Sequence, residues 1–426
     1  MAGPFVIREH TFEGQHIREY PRALASNQED VVWLHAKSYT PHEVDNGSAA
    51  GDMTIIAYHA NAIQKKAYEP FFETLYRNLK ERQGLVPSSI WIADQAAQGT
   101  SALLSDETLG NDPSWFDHSR DVLAMTNTFR KHIKKSLVAI GHSMGGVQAI
   151  GTSHLHPNLF DAVVMMDSPI SLNYSPSLGA MVNYALGRVE TYDTREQAEQ
   201  AIRKSPVFEG WSKQALQRHI ETAFHDSPTV AIPNRKIKPT NTKHAEITSL
   251  TRPNVGHMGV SGELSDAQRA VHPDVDPKAP LTGPVYNPYP RQAWNLLPSL
   301  RPCALFVCGE GSRVCRTNEI EERQNLTGTA PGGSGGAAVG KVASVTVPGG
   351  HFMPMTNMDG TAEAIASWLR VEVDRYLKRR NEVVGTWMRK DLPEKQKLDV
   401  GVEKTLRSWD GKPWAKPEPR VQKSRL

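Results

Sequence analysis

At 426 residues and 39% hydrophobic side chains, the chain suits one large domain with insertions or two domains, and no apolar run of about 18 residues exists, which excludes a conventional membrane-spanning helix. A net charge of +3, without any block of Lys and Arg interleaved with aromatics, excludes an electrostatic nucleic-acid footprint. Three cysteines, Cys303, Cys308 and Cys315, without a C-x-x-C pair, argue against a disulfide framework or zinc site and for a reducing compartment.

Met1 to Glu9 carry no apolar signal core and no Arg-rich amphipathic pattern, so neither a secretory nor a transit peptide is expected. Residues 5–20 and 31–39 alternate loosely, as antiparallel strands opening a sheet do. The β-branched run Thr54-Ile55-Ile56-Ala57-Tyr58 precedes a helical pattern over 68–82, a strand-loop-helix unit. The same grammar repeats with strands at 89–93, 136–140 and 162–166 and helices at 119–132 and 144–155. Near-continuous apolar strands alternating with helices predict a mostly parallel central sheet flanked by helices on both faces.

From 171 to 300 the pattern changes to scattered helices, 195–204 and 213–224 among them, joined by Pro-rich connections. This predicts an inserted, mainly helical cap. Strand patterns resume at 304–308 and 341–347, followed by a helix over 361–379. The expected organisation is a core at 1–170 and 301–385, a cap or lid at 171–300, and a polar appendage at 386–426. The sequence ends Ser424-Arg425-Leu426, a conservative variant of the Ser-Lys-Leu address read by a peroxisomal import receptor; the expectation is a peroxisomal matrix protein with that receptor as partner.

Gly141-His142-Ser143-Met144-Gly145 fits Gly-x-Ser-x-Gly, a weak pattern alone. Here it sits where an apolar strand stops and a helix starts, the context of a nucleophile elbow and of the α/β-hydrolase fold. The competing reading is a serine capping a helix after a glycine turn. A serine nucleophile needs a base and a group to orient it. Of 16 histidines, His351 alone has the right flanks, after the last strand and before the last helix; His142 is expected to support the turn. For the acid, Asp167 follows the strand at 162–166, with Glu310 as the alternative in the loop after 304–308. The oxyanion needs two backbone donors: Met144 supplies one, and Asn61, with Ala62 as alternative, the other. His59 is expected to brace that loop.

Several motifs are set aside. Gly335 to Lys341 resembles a phosphate-binding loop, but Val342 replaces the needed Ser or Thr and no strand directly precedes it. Asp117-His118 reads as helix capping rather than metal binding. No Cys and His cluster has ligand spacing, so no metal and no cofactor is expected. Arg203, Lys204, Arg235 and Lys236 are basic candidates for phosphate contacts, read more simply as solvated surface.

The residues also carry a narrower likeness. On His16-Ile17-Arg18-Glu19-Tyr20-Pro21, Asn27-Gln28-Glu29-Asp30-Val31, Tyr68-Glu69-Pro70, Ser114-Trp115-Phe116-Asp117-His118-Ser119-Arg120-Asp121 and Gly332 to Gly336, the chain resembles fungal peroxisomal α/β-hydrolases of secondary metabolism, which include acyl-CoA hydrolases (type I thioesterases) and hydrolases of toxin clusters. The resemblance implies a triad of Ser143, Asp167 and His351 and a small-molecule acyl-CoA substrate. The chain departs from the family at His59-Ala60-Asn61-Ala62, where relatives tend to have His-Gly-x-Gly, and alanine disfavours positive φ. Two other functions compete: a carboxylesterase or lipase with the same triad, and a non-catalytic binder that kept the fold.

Overall fold

The apolar runs become strands. In chain order they are β1 (Phe5–Glu13), β2 (Trp33–Pro41), β3 (Met53–Tyr58), β4 (Pro87–Ala93), β5 (Leu137–His142), β6 (Ala162–Met166), the short β7 (Phe224–Ser227), β8 (Lys236–Pro239), β9 (Arg252–Pro253) and β10 (Val285–Tyr286), then β11 (Cys303–Gly309) and β12 (Val342–Val347). The computed structural model describes residues 3–173, 178–227, 236–253, 265–275, 284–315 and 317–412; Ser424, Arg425 and Leu426 lie outside them.

Eight strands form one sheet in the order β1-β2-β4-β3-β5-β6-β11-β12. β1 and β2 pair antiparallel, β2 meets β4 antiparallel, and all pairs from β4 to β12 are parallel. Side chains alternate across each strand, so the parallel strands feed two cores. Ile55, Ile90, Val138, Val164 and Leu305 face one core; Ile56, Trp91, Ala139, Val163 and Phe306 face the other. Between β6 and β11 lie the helices Leu178–Leu186, Arg195–Lys204, Lys213–Ala223 and Lys243–Leu250, with the antiparallel pairs β7-β8 and β9-β10.

The chain divides into two compact units, 1–373 and 374–426. The described part of the second holds the short helices Gly385–Met388, Leu392–Lys395 and Val400–Arg407, the last capped by Asp399. Among the described residues, no helix is long and apolar enough to cross a membrane.

Three local differences from the sequence reading have physical causes. β1 stops at Glu13, and Gly14 donates its N–H to Val32 O at 2.7 Å as the chain turns away. The helix expected from Ser119 starts at Trp115, because Ser114 and Asp117 close a capping box that satisfies its first amides. The cysteine expectation is overturned: Cys308 and Cys315 form a disulfide, because the turn after β11 brings their Cα atoms to 5.8 Å. Cys303 is buried outside that pair.

Two stretches that carried the family likeness meet in space. Arg18 Nη1 contacts both carboxylate oxygens of Asp121, at 3.0 and 2.8 Å, with both side chains buried. Glu19 donates its N–H to Asp117 Oδ1, and Arg120 bonds Glu19. The N-terminal segment is thereby fastened to the helix Trp115–Thr128.

Candidate active site

Ser143 lies between β5 and the helix Met144–Leu155, with φ 55° and ψ −123°, a conformation that costs a non-glycine residue about 1–3 kcal/mol. Flanking glycines let the turn close: a Cβ on Gly141 would lie 2.4 Å from the carbonyl of Gly145, and one on Gly145 would lie 2.4 Å from Tyr58 O. The Ser143 N–H donates to Met166 O at 2.8 Å, which ties the turn to β6.

Asp167 follows β6, also in the left-handed region at φ 46°. Its side chain is fully buried. Oδ1 accepts from the Gly309 N–H at 3.1 Å; Oδ2 accepts from Ser312 Oγ at 2.5 Å and from His351 Nδ1 at 2.6 Å. Burial alone would raise the Asp167 pKa. The hydrogen bond and charge of His351, with Ser312 and the Gly309 amide, outweigh burial and hold the carboxyl below its ordinary value.

His351 sits between β12 and the short helix Met353–Thr356, with 20% of its side chain exposed. It lines the same cavity as Ser143. Glu310, the alternative acid, is exposed and its N–H donates to Val347 O. His351 Nδ1 bonds Asp167, and the loop after β11 turns Ser312, not Glu310, toward that carboxylate. Ser312 is a partner of Asp167 that the sequence alone does not single out. The signal that would have found it is strand order, since β6 and β11 are neighbours.

The loop after β3 is pinned from several sides. His59 Nδ1 bonds Ala60 O at 2.8 Å and Nε2 accepts from the Gln95 N–H at 3.1 Å, a bracing arrangement. Gln98 clips the next two residues: its Oε1 accepts from the Ala62 N–H at 2.8 Å, and its Nε2 donates to Asn61 Oδ1 at 2.6 Å. The amide of Ala62, the alternative oxyanion donor, is thus engaged by Gln98. Ala62 does adopt the positive φ that alanine disfavours, at 60°. Asn61 and Met144 line the cavity, and their amides have no acceptor among the described residues.

The cavity measures about 1460 Å³, above the about 300–1,000 Å³ usual for drug-sized ligands. Much of its wall comes from the chain between β6 and β11, with Met181, Ile202, Phe208 and Leu250 among the apolar contributors. Arg188, Arg291 and Arg313 also line it, Arg188 paired with Glu246. Of the basic residues singled out from sequence, Arg203 bonds Gln217 and Lys236 pairs with Asp193, neither of them on the cavity wall; Arg235 lies outside the described residues. Three amides of the glycine-rich loop, those of Gly333, Ser334 and Gly335, donate to protein carbonyls, which leaves them unavailable to a phosphate. Among the described residues, no group of three His, Cys, Asp or Glu side chains could hold a metal ion.

A family model described as the alpha/beta hydrolase family matches residues 67–364. The chain belongs to this family. A type I acyl-CoA thioesterase of Penicillium brevicompactum, mpaH', is 34% identical over 395 residues, covering 87% of this chain and 89% of the relative. The abhydrolase domain-containing protein AKT2 of Alternaria alternata is 25% identical over 244 residues, 56% of this chain and 84% of the relative. Among solved structures, the peroxisomal alpha-beta-hydrolase Lpx1 of Saccharomyces cerevisiae superposes with a TM-score of 0.65 at 17% identity, covering 95% of this chain and 96% of that one. That likeness is one of fold.

Proposed function

We propose that this hydrolase cleaves an acyl-CoA thioester to a free acid and CoA through a serine nucleophile. The observation that carries the reading is the 2.6 Å contact of Asp167 with His351, which lines the same cavity as the left-handed Ser143. The thioester class is supported by the 34% identical relative named as an acyl-CoA thioesterase and by a cavity large enough for a long substrate.

In this mechanism Asp167 holds Nδ1–H of His351, which leaves Nε2 to take the Ser143 proton. Ser143 Oγ attacks the thioester carbonyl, and the amides of Met144 and Asn61 receive the oxyanion. Collapse breaks the carbon–sulfur bond, His351 returns the proton to the CoA sulfur, and an acyl-serine remains. Water, deprotonated by His351, then attacks the acyl-serine; the acid leaves and Ser143 recovers its proton.

The test measures CoA and acid released from a panel of acyl-CoA thioesters, with short and long nitrophenyl esters in parallel. The expected result is thioester turnover that falls by about 10⁶-fold in Ser143→Ala. Turnover of oxygen esters alone would favour a carboxylesterase, and no turnover of either panel would leave a binder. We also propose peroxisomal import through Ser424, Arg425 and Leu426. A fluorescent fusion should give punctate signal that becomes diffuse when Leu426 is deleted.

A further inference from the structure

A buried chain of hydrogen bonds joins the loop after β3 to the loop after β12. The Ala60 N–H donates to the Tyr68 hydroxyl oxygen at 2.9 Å, the Tyr68 oxygen lies 2.8 Å from His142 Nδ1, and His142 Nε2 lies 2.8 Å from His351 O. Ala60, Tyr68 and His142 are all buried, His142 completely.

The direction of every proton follows from the chemistry. A carbonyl oxygen only accepts, so His142 carries its hydrogen on Nε2 and donates it to His351 O. Burial, then the neighbouring His351 ring, pushes the His142 pKa down to about 3, so the ring is neutral and Nδ1 offers a lone pair. The Tyr68 O–H donates to that lone pair while its oxygen accepts from Ala60. One end of the chain thus fixes the His59–Ala60 peptide, one unit before the Asn61 amide; the other fixes the backbone of His351.

We infer that His142 is a positioning residue that sets the oxyanion amide and the general base in register with one another, through Tyr68 on one side and the His351 carbonyl on the other. This rests on the serine mechanism proposed above. Donors aimed in advance at a developing charge need no rearrangement during reaction, and small misplacements are costly: 1 Å can lose about 10²-fold in rate. A histidine that merely fills the core under the turn would not link the rate to Tyr68.

The experiment uses variants that cut one link each. Tyr68→Phe keeps the packed ring and removes the hydroxyl. His142→Gln can keep the donor to His351 O and loses the acceptor for Tyr68; His142→Asn does the reverse. Each is expected to lower kcat by about 10- to 100-fold with KM changed less than about twofold, and to lose affinity for a trifluoromethyl ketone analogue in step with kcat. Because Tyr68→Phe and His142→Gln break the same link, the double variant should be no slower than the slower single one. Multiplying effects in the double variant, or a loss confined to KM or to thermal stability, would overturn the relay. Ser143→Ala, assayed alongside, reports separately on the serine mechanism, since full activity there removes that reading whatever the relay variants do.

Discussion

Asp167 illustrates how a side chain can depend on partners far from it in sequence. Its carboxylate meets His351 across 184 residues and Ser312 across 145. That a carboxylate follows β6, the strand beside β5, and that His351 stands between the last strand and the last helix are both legible in the sequence, and the two side chains meet. Ser312 and Gln98 are not legible there, because their hydrogen bonds exist only once β6 lies beside β11 and the loop after β3 lies over residues 95–98. Under the proposed serine mechanism, replacing Asp167 by Asn should leave His351 in the wrong tautomer and lower kcat by about 10⁴-fold, measured under saturating substrate. At Ala62 the left-handed backbone costs about 1–2 kcal/mol, partly offset in glycine by chain entropy. Ala62→Gly should therefore raise unfolding stability by about 1 kcal/mol in denaturant titrations, and a loss of stability would contradict this account.

At the scale of elements, the helix Trp115–Thr128 does two jobs. Its capping box satisfies the first turn, and its Asp121 neutralises the buried Arg18 of the N-terminal segment. Removing one partner of a buried pair leaves an uncompensated charge, so Asp121→Ala should destabilise the fold by about 3–5 kcal/mol, seen as a lower denaturant midpoint. The double variant Arg18→Met/Asp121→Leu should recover much of that loss. The two segments were visible in the sequence as separate motifs; their meeting was not, because a salt bridge across 103 residues leaves no local periodicity. The cysteines follow the same rule. Only the turn after β11 reveals that Cys308 and Cys315 pair, and spacing without a C-x-x-C signature pointed the other way.

For the molecule as a whole, alternating strand and helix patterns sufficed for the hydrolase sheet, since parallel strands must be apolar on both faces. The cavity walls between β6 and β11 were not legible, because that segment packs short helices of mixed polarity whose neighbours no period encodes. Acid sensitivity is a property of the whole fold. His142 and His219 are each pushed down to about 3, chiefly by burial, whereas an unfolded histidine titrates near 6.5. Below pH 6.5 the unfolded chain therefore binds protons that the folded protein refuses. Stability is fully present above that pH and falls as pH drops from 6.5 toward 3, by up to about 1.4 kcal/mol per pH unit for each histidine. Urea midpoints measured from pH 7.5 to 4.5 should decline; a flat profile would refute the assignment. The left-handed residues Ala62, Ser143 and Asp167, one on each of three neighbouring loops, carry a further consequence for anyone evolving this protein. A library screened for heat resistance alone should drift toward glycine at those three positions, and the survivors should be sturdier and, once 143 or 167 has changed, chemically silent.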